Sequence, residues 1–309
     1  MQEVTDRLGK YNRIALYVVL AFLVLTSFLM ADYAGSGGLT GVLKLCCGFL
    51  LCLILVYSLH IASEPVLPKF QDRSLAVCFG LLLLLSSSGA LVPSLVHLAA
   101  IALLWAQYCL LKELYFAAFF LMGISSMFFP PVMWIAILVM LLMLLAGLTD
   151  KLRNILKFIG GLSVPFFLYG GVAYIIGEDV LALGAGFWHK MIFVEARILS
   201  LNIPLMFLIL CILFVSIHAI VLLASKMGEY GIEESYALKV QIINFVVCSA
   251  VFIFFSATSS LPIAILSCCP TAVLLSRYFS QWGGKWFARI EIVVLLCAAF
   301  IARLGYFIV

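Results

Sequence analysis

Few side chains in this sequence can do chemistry, and most of them stand at the ends of long apolar runs. Asp32 directly follows the first run, in "LMADYAGSGG". A carboxylate there can take the proton of an attacking hydroxyl, or it can be a solvated boundary residue. His189, Lys190 and Arg197 share the segment 178–202, "EDVLALGAGFWHKMIFVEARILSLN". On a helix the three fall within a sector of about 100°, a spacing that lets them converge on the oxygens of one lipid phosphate. The same pattern also describes a basic, aromatic helix that only anchors the chain on a lipid surface.

Arg303 lies inside the last run, five residues before its end at Ile308. It can snorkel outward along its own stem, or join Asp32, Glu178, Asp179 or a substrate phosphate. His97 stands near the outer end of its run and is a further substrate contact on that reading. For His97, His60 and His218 alike, the alternative is a neutral ring hydrogen-bonded between helices. Glu291 enters the last run from its other end, two residues after Arg289, and reads as a boundary ion pair or a helix contact. Nothing resembles a Ser-His-Asp set, a zinc helix or a phosphate-cradling glycine loop. The ten cysteines all lie in apolar runs without a C-x-x-C pair, so they read as small packing residues. No metal or cofactor is implied.

The elements that must position these residues follow from composition. Of the 309 residues 66% are hydrophobic and only 10% charged, and the mean hydropathy is +1.26. No single water-soluble core hides that much apolar surface. The expectation is an all-α polytopic transmembrane helix bundle, a single integral membrane domain over residues 1–309. The net charge of +4 is spread among short loops and does not point to nucleic acid. Membrane lipid is the expected partner, and the sequence does not identify a protein partner.

Hydrophobic runs predict about eleven spans, within a range of 9–12: Ile14–Met30, Leu43–Ile61, Leu75–Leu91, Leu95–Leu111, Leu114–Phe128, Pro131–Leu148, Ile155–Ile176, Ile203–Ser225, Val240–Phe255, Leu261–Tyr278 and Ala288–Ile308. The first reads as a retained helix, because no small-residue cleavage site follows it. With the N-terminus inside, all of the 18 basic residues except Lys44, Lys190, Arg197 and Arg303 fall on the inner side. That asymmetry supports an N-in, C-out topology. Residues 178–202 then form an outer-face amphipathic segment, and the polar stretch "KMGEYGIEESYALKV" is an inner, solvated connector.

The run from Leu114 to Leu148 is broken by "FFPP" at Phe128–Pro131. Pro131 suits the first turn of a descending helix, where its missing N–H costs little. The rising helix spans about 22 Å at 1.5 Å per residue, short of a full crossing. Two outcomes are open: an outward-facing hollow over the turn, or a tight buried hairpin.

"GISSMFFPPVMWIAILVMLLMLL", "GGLSVPFFLYGG" and "LPIAILSCCPTAVLLSRYFSQWGGKWFARIEIVVLL" resemble an uncharacterised family of bacterial polytopic inner-membrane proteins, on Gly123, Phe129, Pro130, Gly161, Pro165, Pro270, Tyr278, Phe279, Trp286 and Glu291. More distantly, the glycine-led helix, the break and the long descending helix look like the middle of GT-C glycosyltransferases. That likeness implies a polyprenyl-phosphate-linked sugar donor at the outer face, with Asp32 as the catalytic acidic residue. His189, Lys190, Arg197, Arg303 and His97 would bind the substrate. The expected function is therefore a GT-C-like protein, active or degenerate, handling a lipid-linked substrate. A lipid or solute transporter or flippase is the alternative, and a non-catalytic membrane subunit of an envelope assembly the third.

Overall fold

Eleven α-helices build the residues described by this computed structural model, which are 39–85, 95–148, 151–192, 203–255 and 262–308. In order they are α1 (Leu39–Ala62), α2 (Phe70–Leu85), α3 (Leu95–Leu111), α4 (Tyr115–Phe128), α5 (Val132–Leu145), α6 (Lys151–Ile176), α7 (Val180–Ile192), α8 (Ile203–Ser225), α9 (Ile232–Phe255), α10 (Pro262–Trp282) and α11 (Trp286–Ile308). A single 3₁₀ turn, Met227–Glu229, follows α8, and no strand occurs among the described residues. The expected span Ile14–Met30 lies outside them. Each of the other ten expected spans overlaps a helix over its described residues, α3 and α8 at the anticipated boundaries, while residues 86–91 and 261 of two of them lie outside the described residues.

One element departs from the sequence reading. The stretch expected to be a solvated connector is largely helical, because α9 already begins at Ile232. Glu233 and Glu234 occupy its first turn, where carboxylates favour the positive end of the helix dipole.

The chain divides into two compact units. One contains α1, α2, α8, α11 and α10 from Cys268 onward; the other contains α3 to α7 and α9. In the second unit α4 packs chiefly on α3 and α6, and α5 on α9. Glycine permits the α4–α6 approach. A Cβ at Gly161 would stand 2.5 Å from the Phe116 carbonyl oxygen, and one at Gly123 would stand 2.9 Å from that of Leu162. Small residues of this kind let helix backbones approach closely and gain van der Waals contact. In the first unit α1 packs on α2 and α8 on α11, with Phe79 stacked on Phe279 at 5.2 Å.

Three helices end in the same six-residue geometry. Leu148 N–H reaches the Met143 carbonyl after α5, Glu178 N–H that of Ala173 after α6, and Leu114 N–H that of Cys109 after α3. The residue before each has a positive φ: Gly147 (65°), Gly177 (87°) and Glu113 (59°). The first two obey the glycine rule of this cap; Glu113 does not.

At the proline break, Phe129 is extended and Pro131 leads into α5 with φ −58°. Ser125, Ser126, Pro131 and Val132 are buried, and the Ser125 hydroxyl donates to the Ala99 carbonyl at 2.7 Å. The residues on either side of the turn are packed, whereas Phe128 is exposed and Phe129 and Pro130 are half-buried, so the turn itself is only partly enclosed.

Large apolar side chains remain exposed along regular stripes. On α8 these are Phe207, Leu210, Phe214, Ile217 and Val221, at the three- and four-residue spacing of one helix face. Among the described residues two helical stretches, Arg153–Ile176 and Met206–Ser225, are long and apolar enough to cross a membrane on those criteria alone. Helices α3, α4 and α5 have 17, 14 and 14 residues, below the roughly 20 of a full perpendicular span.

Gly161→Ala should destabilise the protein by about 1–3 kcal/mol, the usual cost of forcing a group into a filled contact. Gly171, also on α6, has open space where its Cβ would stand, so Gly171→Ala should be neutral or gain up to about 1 kcal/mol of helix propensity. Thermal unfolding of the two variants in detergent compares them directly; equal stability would mean that α4 and α6 do not touch at Gly161.

Candidate functional site

The buried seam of α11 repeats every three or four residues, through Ala288, Glu291, Leu295, Ala298 and Ala302. Four of these are small or apolar and one is a carboxylate. A charged group in such a place is tolerated only with partners, and two neighbouring helices supply them. Tyr278 of α10 donates its hydroxyl to Glu291 Oε2 at 2.6 Å. His218 of α8 places Nδ1 2.5 Å from Glu291 Oε1. The Tyr278 hydroxyl and His218 Nδ1 are themselves 3.5 Å apart, so the three groups form one closed set.

Aromatic rings fix their orientation. The imidazole meets the rings of Tyr278 and Phe287 edge-on at 5.8 and 5.7 Å, while Tyr278 stacks on Trp282 at 5.8 Å. Further polar contacts hold α10 in place around the set. The Ser276 hydroxyl donates to the Asp72 carbonyl and Ser280 bonds the Asp72 carboxylate, which ties α10 to α2. Tyr230 donates to Gln281 Oε1 at 2.7 Å, and Lys226 lies 5.4 Å from the centre of the Trp282 ring.

The chemistry available is proton exchange. Glu291 and Tyr278 are buried, whereas the His218 side chain keeps 35% of its surface. Every His218 hydrogen bond among the described residues uses Nδ1, leaving Nε2 for an outside partner. A carboxylate on Nδ1 orients an imidazole and fixes which ring nitrogen faces outward, so Nε2 is the atom through which the set can exchange a proton with an outside partner.

The residues singled out from sequence are placed as follows. Asp32 and Arg197 lie outside the described residues. His189 and Lys190 are exposed neighbours in the last turn of α7, beside Trp188 at 59% exposure. That helix is well anchored: Asp179 accepts from the Leu181 and Ala182 N–H groups, Phe187 packs edge-on to Phe166 at 5.0 Å, and Trp134 donates to the Met191 carbonyl at 3.1 Å. His97 is fully buried in α3 of the same unit. Arg303 belongs to the other unit, in α11, and is likewise fully buried. Snorkelling outward is therefore not what Arg303 does. Among the described residues no three of His, Cys, Asp or Glu gather closely enough to hold a metal ion.

Sequence reasoning gave Glu291 and His218 structural contacts one by one and did not join them. The signal was present: Glu291 occupies a position of the alanine-rich stripe on α11. What the sequence lacks is the rotation of α8 and α10 that turns His218 and Tyr278 toward it.

Over the described residues the protein is all-helical, with a partly buried His218–Tyr278–Glu291 cluster in one of its two units. The chain belongs to DUF6427, a family of unknown function whose model matches residues 9–307. No curated protein and no solved structure matches it, and the GT-C likeness gains no support from these comparisons.

Tyr278→Phe removes a hydrogen bond to a charged group and should cost about 1.5–3 kcal/mol. Combined with Glu291→Gln it should cost less than the sum of the single changes by about 1 kcal/mol or more, as coupled neighbours do. Denaturation of the four proteins closes the cycle; strict additivity would show that the bond does not form.

Proposed function

We propose that this protein is a multi-span membrane protein of the bacterial cytoplasmic membrane, N-terminus inside, and that His218, Tyr278 and Glu291 form its proton-exchanging centre. The observation that carries this reading is the division of α11 into two faces. Glu291 and Arg303 are buried, while Ile290, Val293 and Ile301 are 51%, 53% and 46% exposed. Water would favour the reverse arrangement, and soluble proteins rarely show contiguous apolar stripes of such extent. The exposed faces of α1, α6 and α8 support the same setting, with Tyr57 at 66%, Phe167 at 77% and Phe214 at 69%. Short helices such as α4 and α5 fit it as the two arms of a broken crossing, with backbone turns satisfied by surrounding protein.

Under this topology the centre lies toward the inner ends of α8, α10 and α11. Ionisable groups held inside a bilayer mark ion pathways and proton relays. The function that uses them most directly is proton-linked movement of a solute or lipid. In reconstituted membranes a pH jump should produce a transient charge displacement, read on a solid-supported membrane. Glu291→Gln should reduce it at least about tenfold, the effect of removing the group that holds the proton. Equal currents from wild type and Glu291→Gln would end this reading.

A second reading is favoured by the end of α7, where exposed His189 and Lys190 sit beside an exposed tryptophan. On that reading the protein is a GT-C-like transferase, active or degenerate. It takes a polyprenyl-phosphate-linked sugar at the outer face, with Asp32 as the base and Arg197 at the donor phosphate. A short-chain polyprenyl phosphate should then bind the wild type, and the double variant His189→Ala, Lys190→Ala should bind about tenfold more weakly. Unchanged binding removes the role assigned to α7.

A further inference from the structure

The second unit carries a polar cavity that the proton-exchanging centre does not use. It has a volume of about 340 Å³ and is lined by Glu113, Tyr115, Gly147, Leu148, Arg153, Asn154 and Lys157, within the size range of small-molecule sites. Three chain segments converge on it: the turn between α3 and α4, the turn after α5, and the first two turns of α6.

The charges in it are arranged unusually. Arg153 and Lys157 stand four residues apart on α6, hence on one helix face. Like charges at that spacing cost helix stability when nothing sits between them. No salt bridge joins either to a carboxylate among the described residues. Glu113 is the one carboxylate among the described lining residues, and its backbone pays for its place. It holds φ 59° at the cap position where α5 and α6 both carry glycine. A non-glycine residue in that conformation costs about 1–2 kcal/mol, and such outliers concentrate at ligand sites.

The wall is rigid. Tyr115 is 7% exposed, meets Phe158 edge-on at 5.5 Å and shares a hydrogen bond with the Tyr236 hydroxyl at 3.2 Å. Lys157 Nζ lies 5.9 Å from the centre of the Tyr115 ring. Burial first, then the bond to Tyr115, holds the Tyr236 phenol above its ordinary range, so that it stays a neutral hydroxyl.

We infer that this cavity binds a phosphate ester carrying a primary amine, the chemistry of an aminoethyl phosphate. Arg153 and Lys157 hold the phosphate oxygens, the Asn154 amide supplies a further donor, and Glu113 receives the ammonium group. A ligand with phosphate alone leaves Glu113 opposing it, and an amine alone leaves two cations uncompensated. The group is found on a lipid headgroup and on soluble phosphate esters; the lipid source rests on the multi-span reading, whereas the soluble one does not.

The test uses the full chain in detergent. Native mass spectrometry reads retention of phosphatidylethanolamine, phosphatidylcholine and phosphatidylglycerol at equal concentration, and calorimetry reads binding of glycerophosphoethanolamine and of inorganic phosphate. Phosphatidylethanolamine or glycerophosphoethanolamine should bind at least about tenfold better than the ligands lacking the amine, and whichever of the two is tighter identifies the source. Arg153→Gln and Lys157→Gln, both at side chains that are not buried, should each weaken binding about tenfold. Glu113→Gly is the decisive variant, because it should raise the melting temperature by relieving the positive φ and at the same time erase the preference for the amine. Equal retention of all three lipids with no binding of the soluble ester overturns the inference, as does a Glu113→Gly protein that keeps the preference.

Discussion

A carboxylate on the buried face of a helix must find partners, and much of the first unit follows from that one constraint. Glu291 stands where α11 otherwise carries alanine and leucine, so the helices beside it have to present a donor to each of its oxygens. Tyr278 and His218 do so at 2.6 and 2.5 Å. Removing either partner leaves charge in an apolar seam, which costs far more than a surface contact gains. The aromatic side chains around the set keep the three groups from rotating apart.

The second unit answers the opposite problem. Its helices bring little charge inside, and their approach depends on backbone proximity. Gly161 and Gly123 allow α4 and α6 to meet closer than any side chain would permit. Beside the broken run Ser125, Ser126, Pro131 and Val132 are buried, and the Ser125 hydroxyl donates to the Ala99 carbonyl, while Phe128 at the turn stays exposed. One unit is thus pinned by a polar cluster and the other by close backbone approach at small residues.

Much of this was legible in the sequence. Helix positions follow hydrophobic runs closely, since a run ended by charge or proline has few other choices. Gly123 and Gly161 stand among the residues that carry the family resemblance, but only the structure shows that a Cβ at either would meet a backbone carbonyl of the facing helix. Where the sequence reading stops short, the reasons are physical. The early start of α9 was hidden by its acidic first turn, which looks like a loop but suits a helix N-terminus. Arg303 looked like a snorkelling side chain because length and distance from a helix end are visible in sequence, whereas the packing that buries it is not. The union of His218, Tyr278 and Glu291 spans residues 218 to 291 and depends on helix rotation, which no local pattern encodes. Asp32 and Arg197, central to the transferase reading, lie outside the described residues, so the geometry bears on neither.

The measurement closest to the central claim is the solvent that meets α8. Single spin labels at positions 207, 210, 214, 217 and 221, in a background with the ten native cysteines replaced, would report collisions with oxygen and with a water-soluble nickel chelate in lipid bilayers. The account predicts oxygen contact that is highest near Phe214 and nickel contact close to nil along the stripe. Nickel contact there as frequent as at the exposed Glu229 would contradict it, because the apolar faces would then be turned to water.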